Sequence, residues 1–486
     1  MVFSSLTFLY FFVPIVLIVY FFSGTKVRNA ILLVSGLFFY AWGEPFYIVI
    51  MLVSTLIDYT AGRMLDKFDN NEKIRKLCLI VSVCMNVGLL AVFKYSDFIF
   101  NNMNSMFGLS IENPVLGLNK WLNDTLDVGL SVKQVALPIG ISFFTFQSMS
   151  YTIDLYLRNI KVQKSFLSFA AYISMFPQIV AGPIVRYEDV ANEIDNRTVN
   201  MSKISIGIGI FIKGLAKKVL LANNIGMVWT AVKAMDFTEI SALTAWIGIL
   251  AYTFQIYFDF SGYSDMAVGL GKMMGFTFPE NFNHPYISKS VSEFWRRWHI
   301  TLGSWFRSYV YIPLGGNRKG KGRTLFNLMV VWALTGLWHG ASWNFVLWGV
   351  YFGVLIIIER LGWGKVLEKL PAPVSICYTF LLAVFGWILF DTETLGDAWN
   401  LFSAMFGGNG VGADSTALYL LATNIVMLVL CAIGSTELPT KLYGKLKNKS
   451  AKVVGYALPV VQTVLMIICT AYLADATYNP FMYFRF

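Results

Sequence analysis

The sequence predicts an all-α protein built into a lipid bilayer. Three observations carry that prediction. Of its 486 residues 56% are hydrophobic and 14% charged, with a mean hydropathy of +0.60. Soluble domains carry about 25% charged residues, so this chain has too little charge to cover a water-facing surface. Aromatics make up 16%, and Trp and Tyr favour the interface belts of a membrane. Finally, apolar runs recur along the chain, at residues 3–22, 31–41, 47–60, 77–93, 243–258, 326–338, 345–358, 377–390, 418–431 and 453–472. The longest can cross about 30 Å of hydrocarbon unaided; the shorter ones need their flanks.

The first run reads as a retained span. Met1-Val2-Phe3-Ser4-Ser5 has no basic leader segment, and no Ala-x-Ala site follows the run. Basic residues then collect in a few loops: Lys26 and Arg28; Arg63, Lys67, Lys73, Arg75 and Lys76; Arg318, Lys319, Lys321 and Arg323; and Lys441, Lys445, Lys447, Lys449 and Lys452. The positive-inside rule assigns these loops to the cytoplasm and the N-terminus to the outer side. The net charge of +10 reflects that rule and argues for no nucleic-acid partner. The polar stretch 101–132, poor in Lys and Arg, belongs outside. Cys78, Cys84, Cys377, Cys431 and Cys469 form no CxxC pair and lie in or beside apolar spans, as small hydrophobes would.

No linker and no separate soluble module interrupts the chain, so residues 1–486 read as one polytopic domain. Its middle, roughly 136–348, is densest in polar residues, Pro and His. Leu137-Pro138-Ile139-Gly140-Ile141-Ser142 and Phe176-Pro177-Gln178-Ile179-Val180-Ala181-Gly182-Pro183 break apolar runs. Backbone freed there must be satisfied by protein or by a water-filled cavity. The breaks therefore mark either a walled cavity within the membrane or plain loops between spans. No internal repeat is visible, which weighs against the inverted-repeat design common among transporters.

Two of the three histidines, His299 and His339, stand among Trp, Leu and Gly, and an imidazole at membrane depth is a functional candidate by default. Read as one helix, Trp295, Trp298, His299, Leu302, Trp305 and Phe306 share a face, with Arg296, Arg297 and Arg307 off it. Gly336 and Gly340 flank Trp338 and His339 and permit close backbone approach; Ser342 and Asn344 follow. Apolar surroundings favour the neutral imidazole, the form a general base requires. The bland alternative for each is a hydrogen-bonded packing histidine. In residues 257–265, Asp259 pairs by helical spacing with Tyr263, and Ser261 with Asp265. These acids either shape a polar wall or serve structure alone.

Two motifs fail. Gly315-Gly316-Asn317-Arg318-Lys319-Gly320-Lys321 fits GxxxxGK, but Gly322 follows where a P-loop needs Ser or Thr. That cationic loop better suits lipid headgroups or an anionic donor such as a coenzyme phosphate. No HExxH or Cys/His cluster has metal spacing, so no metal is expected.

At several of these stretches the chain resembles the membrane-bound O-acyltransferase family, in its bacterial alginate O-acetyltransferase-like branch. The matching segments are Pro138 to Gln147 (PIGISFFTFQ), Phe176 to Ile184, residues 257–275, Asn281-Phe282-Asn283 with Pro285-Tyr286 after an interposed His284, Glu293-Phe294-Trp295-Arg296-Arg297-Trp298-His299, Gly336-Leu337-Trp338-His339-Gly340, and the terminal Asn479-Pro480-Phe481-Met482-Tyr483-Phe484. The resemblance implies about eleven transmembrane helices plus re-entrant segments around a central funnel or tunnel. It implies His339 and His299 as the catalytic pair. Trp295, Trp298, Trp338, Asp259, Tyr263, Asp265 and Asn344 would line or support the tunnel. Acetyl-CoA would be the donor, and an extracellular polysaccharide the destination. The partners would be an extracytoplasmic esterase-like acetyltransferase and the polysaccharide machinery, at the bacterial inner membrane. In this branch Arg usually follows Trp387-Ile388-Leu389-Phe390; here Asp391 stands, which puts an ion pair at that place in doubt. Competing readings are a D-alanyl transfer protein of teichoic acid modification, a transporter with a histidine proton relay, and a catalytically silent scaffold of a polysaccharide synthase.

Overall fold

The computed structural model describes residues 2–126, 129, 131, 134–135, 137–180, 182–475 and 482. Over these the chain is helical, and the one β feature is an isolated bridge between Phe282 and Trp298. Ala136, Ala181 and, Met482 apart, the terminal stretch 479–484 lie outside the described residues. Helices that matter below are α1 (Ile48–Lys67), α2 (Glu72–Leu90), α3 (Ile141–Tyr156), α4 (Met201–Ala216), α5 (Asn223–Lys233), α6 (Ala242–Met273), α7 (Val291–Arg297), α8 (Ile300–Phe306), α9 (Lys321–His339), α10 (Trp343–Ile358), α11 (Ala372–Asp391), α12 (Ser415–Gly434) and α13 (Ala451–Asp475).

Among the described residues, six helical stretches are long and apolar enough to cross a membrane: α1, Glu72–Phe107, Trp343–Lys369, α11, α12 and α13. Their outward faces carry exposed Val, Leu, Ile and Phe, such as Val426, Val460 and Ile467. Only lipid makes such a surface favourable. The chain is a multi-pass membrane protein. Its first apolar run is shorter as helix than its sequence suggests, with a π-turn at Phe8–Phe12 leading into Val13–Phe22.

Polarity inside the protein is met by pairing. Asp58 of α1, wholly buried, accepts from Ser82, from Asn86 at 2.9 Å and from Thr152 at 3.0 Å, knitting α1, α2 and α3 together. The buried Arg75 guanidinium donates to the Leu65 carbonyl at 3.1 Å and the Tyr156 carbonyl at 2.7 Å, capping the ends of α1 and α3. Asp391, at the last position of α11, does keep an ion pair, with its polarity set by this chain. It meets Lys233 of α5 at 3.0 Å and takes the Trp229 indole N–H at 2.6 Å. The ion pair at this position is thus this chain's own, with the acid on α11 and the base on α5.

The two broken segments meet each other. Gly140 adopts a left-handed φ of 76° before α3, and a Cβ there would fall 2.4 Å from the Ile179 carbonyl oxygen. The segment after Ile179 then reaches the histidine region, where the Ile184 N–H donates to Thr301 Oγ1 at 3.0 Å. Helices α9 and α10 pack through facing glycines, as Gly336 led us to expect. A Cβ on Gly336 would lie 2.3 Å from the Phe345 carbonyl oxygen, and one on Gly349 the same distance from that of Trp332. Gly349→Ala should push these helices apart and cost about 1–3 kcal/mol. Thermal unfolding of the detergent-purified variant checks this, and a midpoint equal to wild type would refute it.

Candidate functional site

The helix read through Trp295 to Phe306 is in fact two. α7 stops at Arg297 and α8 begins at Ile300, with His299 between them at φ 46° and ψ 54°. A non-glycine residue in that left-handed well costs about 1–2 kcal/mol. Tertiary bonds hold it there: the Asn283 N–H donates to the Arg297 carbonyl at 2.9 Å and the Ile300 N–H to the Asn281 carbonyl at 3.0 Å. The residues 281–283 thus act as a short edge that interrupts the helix. Trp295, Trp298, His299, Leu302 and Phe306 still face one cavity, but Trp305 turns away and donates its indole N–H to the Phe146 carbonyl at 2.9 Å. Arg307, expected off this face, lines the same cavity.

The break gives His299 a defined tautomer. Asn281 Oδ1 lies 3.0 Å from His299 Nδ1 and also receives the Thr301 backbone N–H at 3.3 Å and the Thr301 hydroxyl at 2.9 Å. A backbone N–H can only donate, so this atom of Asn281 is the acceptor oxygen, and Nδ1 of His299 carries the hydrogen. Its Nε2 is left bare and buried, without a partner among the described residues. Phe260 of α6 holds the ring from the side, at 4.7 Å and perpendicular.

His339 is the last residue of α9. Its ring sits among Trp338 at 5.0 Å, Trp348 at 4.9 Å and Phe390 at 5.1 Å, with Nδ1 buried and unpartnered. Trp338 also touches His299 across 5.8 Å, so the two imidazoles flank one indole, within electrostatic reach of each other. Trp295 packs on Trp332 at 4.8 Å and Trp348 at 5.4 Å, and Trp298 on Trp387 at 4.8 Å. Within this aromatic box the indole N–H groups of Trp295, Trp338 and Trp348, and Nδ2 of Asn281, are buried without protein partners. Buried donors of this kind are normally satisfied. Their concentration here marks the box as a place built to receive polar atoms.

A cavity of about 280 Å³ leads to the box. At its inner end stand Trp295, His299, Trp332 and Thr335; at its mouth stand Arg307, Tyr311, Asn317 and Arg360, beside the cationic loop. Arg360 donates to Asn317 Oδ1 at 3.0 Å. His339 itself does not line this cavity; it lies one helical turn beyond Thr335. From Lys321 to His339 α9 has 19 residues, about 28 Å at 1.5 Å each, so His339 stands roughly a hydrocarbon thickness from the cationic loop.

The remaining predicted residues serve elsewhere. Asn344 ties α10 to the end of α11, donating to the Thr392 carbonyl at 2.7 Å. Asp259 pairs with Lys218 at 2.5 Å and accepts the Met482 N–H at 3.1 Å, while Asp265 meets Lys217 at 2.8 Å and Lys213 at 3.1 Å. Tyr263 stacks on Phe3 at 4.2 Å. The helical partners expected for the two acids are replaced by lysines on and just after α4, because an intramembrane carboxylate gains more from a cation than from a hydroxyl. Asn281 was missed. It stands inside the matched Asn281-Phe282-Asn283 stretch, but nothing in one sequence ties it to a histidine 18 positions on.

Comparison with known proteins places the geometry in context. Residues 157–388 match the model of MBOAT, the membrane-bound O-acyltransferase family. A protein of Pseudomonas putida described as a probable alginate O-acetylase AlgI is 37% identical over the whole of both chains. A peptidoglycan O-acetyltransferase of Helicobacter pylori is 33% identical, over 85% of this chain and 81% of its own. A teichoic acid D-alanyltransferase of Bacillus subtilis is 29% identical over 52% of this chain and 68% of its own.

The tautomer is open to measurement. Solid-state ¹⁵N spectra of histidine-labelled protein should show His299 protonated at Nδ1 and bare at Nε2. Asn281→Ala should abolish that preference and lower stability by about 1–3 kcal/mol, through the stranded Thr301 donors. An Nε2-protonated ring in the wild type would reverse the assignment.

Proposed function

The chain belongs to the membrane-bound O-acyltransferase family, and from that premise we propose that it passes an acetyl group from cytoplasmic acetyl-CoA across the membrane for O-acetylation of an extracellular polysaccharide. The observation that carries this reading is the cavity, cationic at its mouth and lined at depth by His299, the residue that bears the bare Nε2. Arg307 and Arg360, with the Arg318, Lys319, Lys321 and Arg323 loop, offer guanidinium and ammonium groups suited to the phosphates of a coenzyme. Beyond them the lining turns to Leu302, Phe306, Leu328 and Val331, suited to a slender apolar arm that carries a thioester inward.

Transfer forms a bond between an acceptor hydroxyl oxygen and the acetyl carbonyl carbon, and breaks the carbon–sulfur bond. The hydroxyl proton leaves to an imidazole and returns to the departing thiolate. In this reading His339, nearer the outer side, takes the proton as the hydroxyl attacks. His299 has only a bare Nε2 to present, so it accepts a hydrogen bond and orients a hydroxyl or holds the leaving thiol. Polarising the thioester carbonyl needs a donor, which this tautomer does not give. The indole N–H groups of the box are the donors at hand for a developing oxyanion. Outside, the acetyl group would be handed to a separate esterase-like acetyltransferase and the polysaccharide machinery, from a seat in the bacterial inner membrane. The full-length match to an alginate O-acetylase, against a half-length one to a D-alanyltransferase, favours acetyl over D-alanyl.

His339→Ala and His299→Ala should each lower surface-glycan acetylation by about 10²-fold or more, with the protein still inserted at wild-type level. Unchanged ester content in both variants, read as base-labile acetate, would leave the scaffold reading standing. The double variant Arg307→Ala/Arg360→Ala should weaken acetyl-CoA binding about tenfold and leave transfer at saturating donor nearly intact. Donor titration of the purified variant checks this, and equal affinity would place the donor elsewhere.

A further inference from the structure

One ionisable group beside the aromatic box has no part in the reading above. Lys94 is buried in the stretch Glu72–Phe107, in the π-helical turn Ala91–Tyr95 that follows α2. Single π-turns within helices are frequent at functional sites. Among the described residues no carboxylate lies within ion-pair distance of its ammonium. The group donates instead to the Trp338 carbonyl at 2.5 Å and to Ser142 Oγ at 3.1 Å, and it lies 5.8 Å from the Trp338 ring centroid. The neighbouring Tyr95 hydroxyl donates to the Leu337 carbonyl at 2.6 Å.

These bonds converge on one place. The last carbonyls of a helix have no intrahelical partners and carry the negative end of its dipole. Lys94 and Tyr95 take two consecutive carbonyls at the end of α9, one and two residues before His339. Through Ser142, Lys94 also fastens the first turn of α3, just past the Gly140 break. The residue it grips most closely, Trp338, is the one whose indole stands against both imidazoles. A neutral donor can meet the helix terminus, as the Tyr95 hydroxyl does; a cation also places positive charge within electrostatic reach of His339.

We propose that Lys94, seconded by Tyr95, is a positioning residue of the acyl-transfer centre, clamping the Trp338 carbonyl so that His299 and His339 keep their places on either side of that indole. The inference rests on the acyltransferase reading. It adds a second role, in which the ammonium favours the negatively charged tetrahedral intermediate over the neutral thioester.

Transfer and donor binding should therefore separate. In cells, Lys94→Met should lower surface-glycan acetate at least thirtyfold, while the purified full-length variant binds acetyl-CoA within twofold of wild type. Acetylation within twofold of wild type, or a parallel loss of donor binding, would overturn the proposal. Tyr95→Phe removes one cap without touching the charge and covers the case in which Lys94→Met does not accumulate. It should lose three- to tenfold in acetylation with binding kept, and no loss would overturn the proposal as well. His339→Ala in the same cells guards the premise. If that variant acetylates normally, the acyltransferase reading fails, whereas a dead His339→Ala beside an active Lys94→Met sinks only the clamp.

Discussion

Hydrocarbon offers a carbonyl, a carboxylate or an imidazole nothing to bond to, so each polar atom at membrane depth must find its partner within the chain. The architecture follows from how that demand is met. Asp58 gathers hydroxyls and an amide from two neighbouring helices, Asp259 and Asp391 take lysines, and Arg75 caps two helix ends at once. Each such tie fixes the relative position of elements that apolar packing alone would leave free to slide, because lipid competes with protein for leucine faces. The aromatic box departs from this rule. Among the described residues, an imidazole nitrogen of each histidine and three indole N–H groups stand there together without protein partners.

Much of this was legible in the residues. Apolar runs and low charge gave the class of protein, and two histidines in Trp-rich stretches gave the two rings that flank Trp338. What escaped was tertiary in origin. The break at His299 has no local signal, since Val291 to Phe306 carries helical periodicity throughout; the interruption is imposed by hydrogen bonds from Asn281 and Asn283. The partners of Asp259 and Asp265 lie 41 to 52 residues away on and beside α4, whereas helical spacing offered Tyr263 and Ser261 at four. The same blindness hid Lys94. It left a trace, a lone lysine beside an apolar run, but its meaning depends on a helix end 244 positions further on.

A common device recurs along one helical stretch. Arg75 closes the ends of α1 and α3, and some twenty residues on Lys94 and Tyr95 close the end of α9. In each case a side chain from the α2 stretch supplies donors to carbonyls that lipid could not serve. That stretch, plain by composition, is a bracket against which other helices are registered. The cavity shows the complementary logic. Its mouth is cationic, where water and counter-ions can offset the charge, and its depth is aromatic, where hydrogen bonds strengthen as the local dielectric falls.

Helix α9 starts at the cationic loop and finishes at His339, so one rigid rod fixes the separation of loop and box at about 28 Å. In the proposed reading that length is the depth to which a donor would have to reach. The bond broken and the bond made share one carbonyl carbon beside the box, so in that reading a donor's thioester would reach it while the phosphates stay at the loop. The cell would then need neither an exporter for an activated ester nor a pool of coenzyme beyond its own boundary.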